Sequence, residues 1–403
     1  MQPIRKRLSF SPFKMMSGAK SFSRRRILFL VTEDWYFCSH RLELARGLAR
    51  DGWQIQVGCR VQRHRRAMEK EGFQVYPIKF ARESLSPLRA WSEVAEIRKV
   101  ILRAKPDLIV AVALRPVLFT FLALGFSKVP LINLIAGMGS LFSGRSMGWK
   151  DRLASLAVKI ILSKVVRREM TRTLVQNRFD GKTLAALTGF SAERFKVLPG
   201  TGIDESYWKP SPETATRPFT LIYVGRLLGD KGLAEAVQAF QDLRTRGKKL
   251  VFLVVGARDL ANPACLQREI LTEWGKIPGI RFLGKKPPGE IRRLLRHSHC
   301  IVMPSYREGF PRVLLEAGLC RRGVVASDIP ANRMVILHHH NGLLVPPRDP
   351  VRLASAVAWL ADHPVERRRM AQNLRTTILQ KFSSTVLLRR FNKIMGEVLS
   401  HTV

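Results

Sequence analysis

Two glutamates eight residues apart, with a Gly-Phe-Pro step between them, form a pattern that could do chemistry. The apolar run 300–303 predicts a buried strand, a polar loop follows, and Pro311 opens a predicted helix. The first turn of such a helix offers free N–H groups and a positive dipole end, which suit an anion or a sugar hydroxyl. Glu308 lies at the mouth of this loop, Gly309 lets a ligand approach the backbone, and Glu316 lies about two turns into the helix.

A second loop carries two cations. Arg226 and Lys231 follow the predicted strand 219–224 and surround Gly229. Because ligands of parallel sheets bind at the carboxyl ends of the strands, we expect these cations to face Glu308 and to suit a diphosphate. For these two cations the alternative is a basic loop without a function. For Glu308 the alternative is a glutamate that the helix dipole favours, and for Glu316 it is a solvated glutamate on a helix face.

Composition limits the class of protein. The 403 residues suffice for two domains with full cores, and strands alternate with helices from residue 27 and again from residue 219. The five cysteines form no metal-binding spacing, which suits a reducing compartment. The net charge of +38 predicts an anionic partner, either membrane lipid, nucleic acid or a phosphorylated substrate. A nucleic-acid-binding protein is the alternative that the charge suggests. Nothing but the charge supports it, because the sequence has no helix-turn-helix, RRM or zinc pattern.

The chain resembles the retaining glycosyltransferases of family 4, whose GT-B fold has two Rossmann-like, doubly wound α/β domains that face a central cleft. The resemblance extends from about residue 26 to the C-terminus. It is strongest over 221–347, where G-R-x4-K-G at 225–232, E-x7-E at 308–316 and D-I-P-x-N-R at 328–333 follow one another. It implies an acceptor domain over 27–204, a linker over 205–218, a nucleotide-sugar donor domain over 219–382, and a last helix over 383–403 that packs back on the first domain. We interpret residues 1–26 as a disordered basic arm.

The resemblance also implies roles for particular residues. Glu308 would orient the donor sugar, and with Arg226 and Lys231 it forms the expected catalytic set. Glu316 would hold the ribose of the nucleotide, and the cations with the helix end would neutralise the diphosphate, so that neither a metal nor another cofactor is expected. The expected donor-binding residues are Gly225, Arg226, Lys231, Glu308, Gly309, Phe310 and Glu316.

The sequence departs from the family pattern in three places. Residues 32–35 lie in the loop predicted after the first strand, where many members have paired glycines, and Met334 stands where a glutamate is usual. Ala136 precedes Gly137 and Gly139, where many members have a histidine or glutamate. A catalytic histidine cannot be assigned there, so His40 joins Gly137 and Gly139 as the candidates on the acceptor side. A structural histidine is the alternative for His40, and an epimerase or an inactive relative is the alternative for the whole chain.

Residues 150–168 predict an amphipathic basic helix that lies either at a membrane interface or against the core. The apolar run 108–126 is broken by Arg115 and Pro116, so it predicts no membrane span. The family resemblance implies transfer of a hexose or N-acetylhexosamine from a nucleotide sugar, most simply a UDP-sugar. The expected acceptor is a lipid-linked, lipopolysaccharide or capsule glycan on the cytoplasmic face of a membrane, with peripheral attachment to anionic lipid and no nucleic-acid partner. The predicted apolar face contains Leu153, Leu156, Ala157, Ile160 and Ile161, and the basic flanks contain Lys150, Arg152, Lys159, Lys164, Arg167 and Arg168.

Overall fold

The computed structural model describes residues 25–80, 87–135, 149–213, 218–260 and 262–400. The strands are β1 (Arg26–Glu33), β2 (Gln54–Arg60), β3 (Gln74–Pro77), β4 (Leu108–Val112), β5 (Leu131–Ile135), β6 (Thr171–Val175), β7 (Phe195–Val197), β8 (Phe219–Val224), β9 (Leu250–Val255), β10 (Ile280–Gly284), β11 (Cys300–Met303), β12 (Gly323–Ser327) and β13 (Leu343–Val345). The helices are α1 (Asp34–His40), α2 (Leu42–Arg50), α3 (Arg65–Lys70), α4 (Pro87–Ala104), α5 (Leu114–Leu124), α6 (Trp149–Arg167), α7 (Arg178–Thr188), α8 (Leu233–Thr245), α9 (Arg268–Gly275), α10 (Pro288–Arg296), α11 (Arg312–Leu319), α12 (Pro330–Arg333), α13 (Pro350–Asp362), α14 (Pro364–Lys381) and α15 (Ser384–Leu399).

The strands form two parallel sheets. The first has the order β3-β2-β1-β4-β5-β6-β7, and the second has the order β10-β9-β8-β11-β12-β13. Helices cover both faces of each sheet, so each domain has two apolar clusters, one on either side. Central strands such as β4 are buried along their whole length, as expected for a sheet covered on both faces. The predicted fold class, two Rossmann-like domains, is therefore confirmed.

Two local predictions need correction. The loop expected after β1 is instead the helix α1, which is separated from α2 by the non-helical backbone of Arg41, with φ −126° and ψ −11°. Pro311 precedes α11 rather than opening it, because its ψ of 70° lies outside the helical region. The strand β7 was not predicted, since its three residues carry too little pattern to indicate one.

The last helix, α15, lies on the first domain. Leu387 and Phe391 are buried in the same apolar cluster as the residues of β1. Just before this helix the chain runs beside the turn that closes the first domain, where the Ser384 amide donates to the Ile203 carbonyl at 3.1 Å. The two chain crossings between the domains therefore lie side by side, on the same side of the molecule.

The helix α6 packs against the core, which is one of the two predicted alternatives, but mainly through residues outside the predicted apolar face. Its core-facing residues are Leu162, Val165 and Val166, whereas Leu156 and Ile160 of the predicted apolar face are about half exposed. The helix thus packs against the core and still presents apolar side chains to solvent. No helix in the described ranges is both long and apolar enough to cross a bilayer. Most of the predicted basic arm (1–24) and the loop with Ala136, Gly137 and Gly139 lie outside the described residues.

Candidate active site

A cavity of about 230 Å³ lies at the carboxyl ends of β8 and β11, where a doubly wound sheet binds its ligands. Its wall is formed by the loop after β8, the loop after β11 and the first residues of α11. Five of the predicted residues line it, and they come from segments more than seventy residues apart in the chain. These five are Gly225, Arg226, Lys231, Glu308 and Phe310.

An ion pair joins the two loops inside the cavity. Lys231 Nζ lies 2.6 Å from Glu308 Oε1, and the two side chains are only 16% and 18% exposed. Gly232 permits this approach, because its φ is +69° and a Cβ at that position would lie 2.1 Å from the Pro304 carbonyl oxygen. The glycine of the G-R-x4-K-G segment thus lets the lysine loop lie directly against the glutamate loop.

Arg226 lines the same cavity but has a different partner. Its Nη1 lies 3.0 Å from Asp259 Oδ2, and its side chain is 57% exposed. The Tyr223 hydroxyl donates to the Arg226 carbonyl at 2.9 Å, which fixes the turn from which this side chain leaves. Burial, and then the charge of Glu308, raise the pKa of Tyr223, so it stays a hydrogen-bond donor. Asp259, which follows β9, was not anticipated from the sequence.

Glu316 is held by an arginine that sequence reasoning overlooked. Arg312 Nε donates to Glu316 Oε1 at 3.0 Å, and Arg312 Nη1 donates to Thr201 Oγ1 at 3.0 Å. Burial raises the pKa of Glu316, although the charge of Arg312 opposes this shift. Arg312 lines the cavity, whereas Glu316 lies outside the lining. Arg312 therefore connects the second glutamate of the motif to the turn that closes the first domain.

Gly309 and Phe310 contact the first domain, and Phe310 also lines the cavity, whereas the predicted donor-binding residue Gly309 does not. Asn177 caps α7 by accepting from the Asp180 amide at 2.7 Å, and its Nδ2 donates to the Gly309 carbonyl at 3.2 Å. The ring of Phe310 lies against Gly200, where a Cβ would come within 2.9 Å of the ring and the φ is +86°. The glutamate loop is thus fixed from both domains. Asn177 was not predicted, although Asn is a common helix N-cap and directly precedes α7.

His40 lies on the first-domain side of the cleft. Its ring stacks on Tyr36 at 4.3 Å, and its Nδ1 lies 2.6 Å from Ser39 Oγ. Burial, followed by the charges of Arg312 and Arg41, lowers the pKa of His40 to about 3, so the imidazole is neutral near pH 7. The structure therefore brings His40 near Arg312 of the donor cavity. The other acceptor-side candidates, Gly137 and Gly139, lie outside the described residues.

The segment 32–35, which stands where the family has paired glycines, is held by the side chain of Asp34. Asp34 Oδ2 accepts from the amides of Gln62, Arg63 and His64 at 2.7–2.9 Å. Burial alone would raise the pKa of Asp34, but the four amides of His64, Gln62, Arg63 and Trp35 outweigh it and lower that pKa. The acidic residue thus ties the start of α1 to the loop after β2.

Met334 has an apolar environment. It is half-buried against the cluster on one face of the second sheet, while its neighbour Arg333 forms an ion pair with Asp328. The Met334 side chain packs against this cluster, whereas a glutamate would bring a negative charge to the same position. The structure therefore gives Met334 a packing contact at the position where the family pattern has a glutamate.

Comparison with known proteins decides the family. Residues 204–377 match the model described as glycosyl transferases group 1, and residues 26–165 match the model described as glycosyl transferase 4-like. The chain is a group 1 glycosyltransferase. As such it is an enzyme, and the cavity at the carboxyl edge of the second sheet is its candidate active site.

Individual relatives agree with this assignment. The glycosyltransferase is 25% identical over 345 residues to the N,N'-diacetylbacillosaminyl-diphospho-undecaprenol alpha-1,3-N-acetylgalactosaminyltransferase of Campylobacter jejuni, covering 82% of this chain and 87% of the relative. Its fold is similar to that of sucrose-phosphate synthase from Thermosynechococcus elongatus, with a TM-score of 0.77, 15% identity and coverage of 94% and 100%. It is also similar to that of Anabaena HepE in complex with UDP-glucose, with a TM-score of 0.72, 18% identity and coverage of 92% and 99%.

Proposed function

We propose that this glycosyltransferase moves a hexose or N-acetylhexosamine from a UDP-sugar to a lipid-linked, lipopolysaccharide or capsule glycan, with retention of anomeric configuration. The observation that carries the proposal is the Lys231–Glu308 ion pair, 2.6 Å long and mostly buried, beside the start of α11. An enclosed cation beside the N-terminus of a helix suits a diphosphate, and an enclosed carboxylate beside it suits sugar hydroxyls.

The ion pair gives each of the two enclosed charges a partner within the protein. Before the donor binds, Glu308 neutralises Lys231; a diphosphate would take over that task and release Glu308 to accept hydrogen bonds from the donor sugar. Arg226, exposed and paired with Asp259, would turn inward to meet the second phosphate. These cations and the N-terminus of α11 would stabilise the charge that develops on the leaving diphosphate.

The reaction requires no covalent enzyme intermediate in this proposal. The acceptor hydroxyl oxygen bonds to the anomeric carbon as the bond from that carbon to the diphosphate oxygen breaks. The hydroxyl proton passes to the departing phosphate on the same face of the sugar, and the bonding electron pair stays with the diphosphate. His40, neutral near pH 7, would position the acceptor as a hydrogen-bonding group rather than as a cation.

The acceptor class rests on the relative from Campylobacter jejuni, whose name specifies a diphospho-undecaprenol acceptor. The neighbour solved with UDP-glucose supports uridine as the donor base. We expect the enzyme to act at the cytoplasmic face of a membrane, attached peripherally. The exposed Leu156 and Ile160 of α6, with the unburied Lys159 between them, support this placement.

Transfer assays with a panel of UDP-hexoses and UDP-N-acetylhexosamines on polyprenyl-diphosphate-linked sugars test the proposal. Product anomeric configuration, read by NMR, tests retention. Conversion of the UDP-sugar to its epimer without transfer would favour an epimerase instead. Binding of UDP-sugars with neither transfer nor hydrolysis would favour an inactive relative.

A further inference from the structure

A cavity much larger than the donor cavity has no part in the proposed reaction. Its volume is about 1510 Å³, and its lining includes Phe219, Leu250 and His299, which lie at or just before the first residues of β8, β9 and β11. This cavity, called the amino-edge groove below, therefore follows the amino edge of the second sheet. The donor cavity lies at the opposite, carboxyl edge, so a ligand in the groove would not contact the Lys231–Glu308 pair.

The amino-edge groove is strongly basic. Its lining contains six cationic side chains and one carboxylate, that of Glu213. The lining of the donor cavity contains three cations and one carboxylate. Concave walls of low dielectric concentrate the field of such charges, so the groove should attract anions. The six cations are Arg244, Lys248, Lys249, Arg321, Arg367 and Arg368.

Three of these cations have partners that stabilise the walls of the groove. Arg244 donates to a backbone carbonyl at 2.7 Å, and Lys248 Nζ lies 2.5 Å from Asp362 Oδ1. Arg367 is only 5% exposed, and its Nε lies 2.6 Å from Glu213 Oε1. These contacts hold the groove in shape, and they account for three of the six charges without a ligand.

The other three cations are in excess. Arg368 shares Glu213 with Arg367, and its distance of 3.7 Å is long for an ion pair. Lys249 and Arg321 are exposed, and neither side chain has a hydrogen bond or an ion pair among the described residues. Like charges in one groove repel one another, and a bound anion would offset this repulsion.

The other residues of the groove indicate the class of anion. Guanidinium groups match the oxygens of a phosphate. None of the large apolar side chains exposed in the described residues lines the groove, so it lacks groups that insert into a bilayer. The ring of Phe219 contacts His299 at 4.9 Å and Arg367 at 5.0 Å, so it is not free to stack on a base. We propose that the amino-edge groove binds a soluble ligand with several phosphate groups.

Lysine labelling on the full chain tests where the anion binds. The probe is inorganic tripolyphosphate at about 0.15 M salt, at which interactions between distant exposed charges are largely screened. Reaction of Lys249 with an amine reagent, read by mass spectrometry, should slow severalfold when the probe is bound. Lys393 on α15 is also exposed but lies outside the groove, so its reaction should not change. The concentration dependence of the Lys249 protection gives the affinity of this site alone.

Arg321 offers a variant that separates binding from folding. It follows the C-cap of α11 with a φ of +60°, and the next amide, that of Arg322, donates to the Ala317 carbonyl at 3.0 Å. Glycine is the usual residue at such a helix end, because it adopts a positive φ without strain. Arg321→Gly should therefore unfold at the same or a higher urea concentration than the wild type. Its affinity for tripolyphosphate at Lys249 should nevertheless fall about tenfold, since a phosphate loses a guanidinium partner.

Lys105→Gly is the matched control. Lys105 is likewise an exposed cation that follows a helix with a positive φ, of 43°, but it lies outside the groove. The control should not lower stability, and it should leave the affinity at Lys249 unchanged.

Three results would overturn the proposal. The first is an Arg321→Gly protein that binds tripolyphosphate as tightly as the wild type. The second is equal protection of Lys249 and Lys393. The third is protection of Lys249 by phosphatidylglycerol vesicles or duplex DNA but not by tripolyphosphate. None of these measurements depends on sugar transfer, so this proposal and the proposed function are tested independently.

Discussion

Lys231, in the loop after β8, lies 2.6 Å from Glu308, in the loop after β11, so the G-R-x4-K-G and E-x7-E segments of the second domain meet in one ion pair. The pair is more than four-fifths buried, and it sits in the cavity that the first residues of α11 help to line. Its position gives the site a cation for a phosphate and a carboxylate for a sugar. The predictions that follow begin with this pair.

Replacing either partner should disable transfer. We expect Lys231→Met or Glu308→Gln to lower kcat by about 100-fold or more, because each removes a charge aimed at the reacting groups. Lys231→Met should also cost about 1–3 kcal/mol of stability, since Glu308 is left enclosed without its partner. Steady-state assays and urea unfolding measure both effects. The control is Lys248→Ala, which breaks an exposed pair with Asp362 and should leave kcat unchanged. Full activity of the Lys231 variant would remove this lysine from the site.

Glu316→Gln should weaken nucleotide binding by about 10-fold or more, because a ribose hydroxyl loses a charged partner worth about 1.5–3 kcal/mol. Glu316→Ala should have at least this effect. Burial raises the pKa of Glu316, so the wild type should lose nucleotide affinity as the pH falls through a range above that of an ordinary glutamate. The Gln variant should lack this component. Calorimetry with free UDP across pH measures it, and equal affinity of both proteins would exclude Glu316 from the site.

Asp34→Asn should destabilise the first domain. The carboxylate accepts from several amides and its folded-state pKa is lowered below 3.8, so its contribution is present above pH 3.8 and is lost as the pH falls through the folded pKa. We expect a loss of about 1–3 kcal/mol at pH 7 and a smaller loss near pH 3, measured by urea unfolding. Glu69→Gln, in an exposed pair with Arg65, is the control and should change stability by less than about 0.5 kcal/mol. A loss independent of pH would contradict this account of Asp34.

Gly232→Ala should cost at least about 2 kcal/mol, because a side chain meets both a positive φ and the Pro304 carbonyl. It should also reduce transfer by displacing Lys231. The control is Gly396→Ala in α15, where a Cβ meets nothing within 4 Å and the change should stabilise the protein by about 0.5–1 kcal/mol. Thermal unfolding of both variants compares them. A Gly232 variant as stable as the wild type would show that the loop relaxes without strain.

Binding to anionic vesicles should depend on α6 and on the neighbouring Phe126. Phe126 is fully exposed and lines one groove with Lys164 and Arg167. Replacing Ile160 and Phe126 with glutamate, or Lys164 and Arg167 with glutamate, should abolish co-sedimentation with phosphatidylglycerol vesicles at low salt, since each basic residue contributes about 1 kcal/mol there.

Not every basic residue near α6 is available to bind lipid. Arg168 is not substituted, because its guanidinium donates to the carbonyls of Met170, Ser127 and Val129 and serves the fold. Trp91→Glu on α4, another exposed aromatic residue, is the control and should leave vesicle binding unchanged. Wild-type protein that stays in solution at low salt, or that prefers DNA to vesicles, would contradict the membrane proposal.

The sequence by itself determined the fold class and predicted that the loops after β8 and β11 form the site. Strand and helix periods are local properties, so the alternation of buried strands with helices predicted two parallel sheets without knowledge of contacts. The rule that parallel strands present their carboxyl ends at one edge then predicted that Lys231 would face Glu308. The family resemblance named Gly225 and Phe310 as donor-binding residues, and both line the cavity.

Only the tertiary structure decided the partners of each charge. Arg226 and Lys231 look equivalent in sequence, yet one pairs with Asp259 at the surface and the other with Glu308 inside. The electrostatic environment of Arg41 depends on elements far apart in the chain, since Arg312, whose charge opposes that of Arg41, follows it by more than 250 residues and lies in the other domain. A helical pattern also could not tell which face of α6 meets the core, because apolar residues occur on two faces and packing chose Leu162, Val165 and Val166. Charge pairing and burial are set by distances between distant segments, and those distances exist only once the domains have packed.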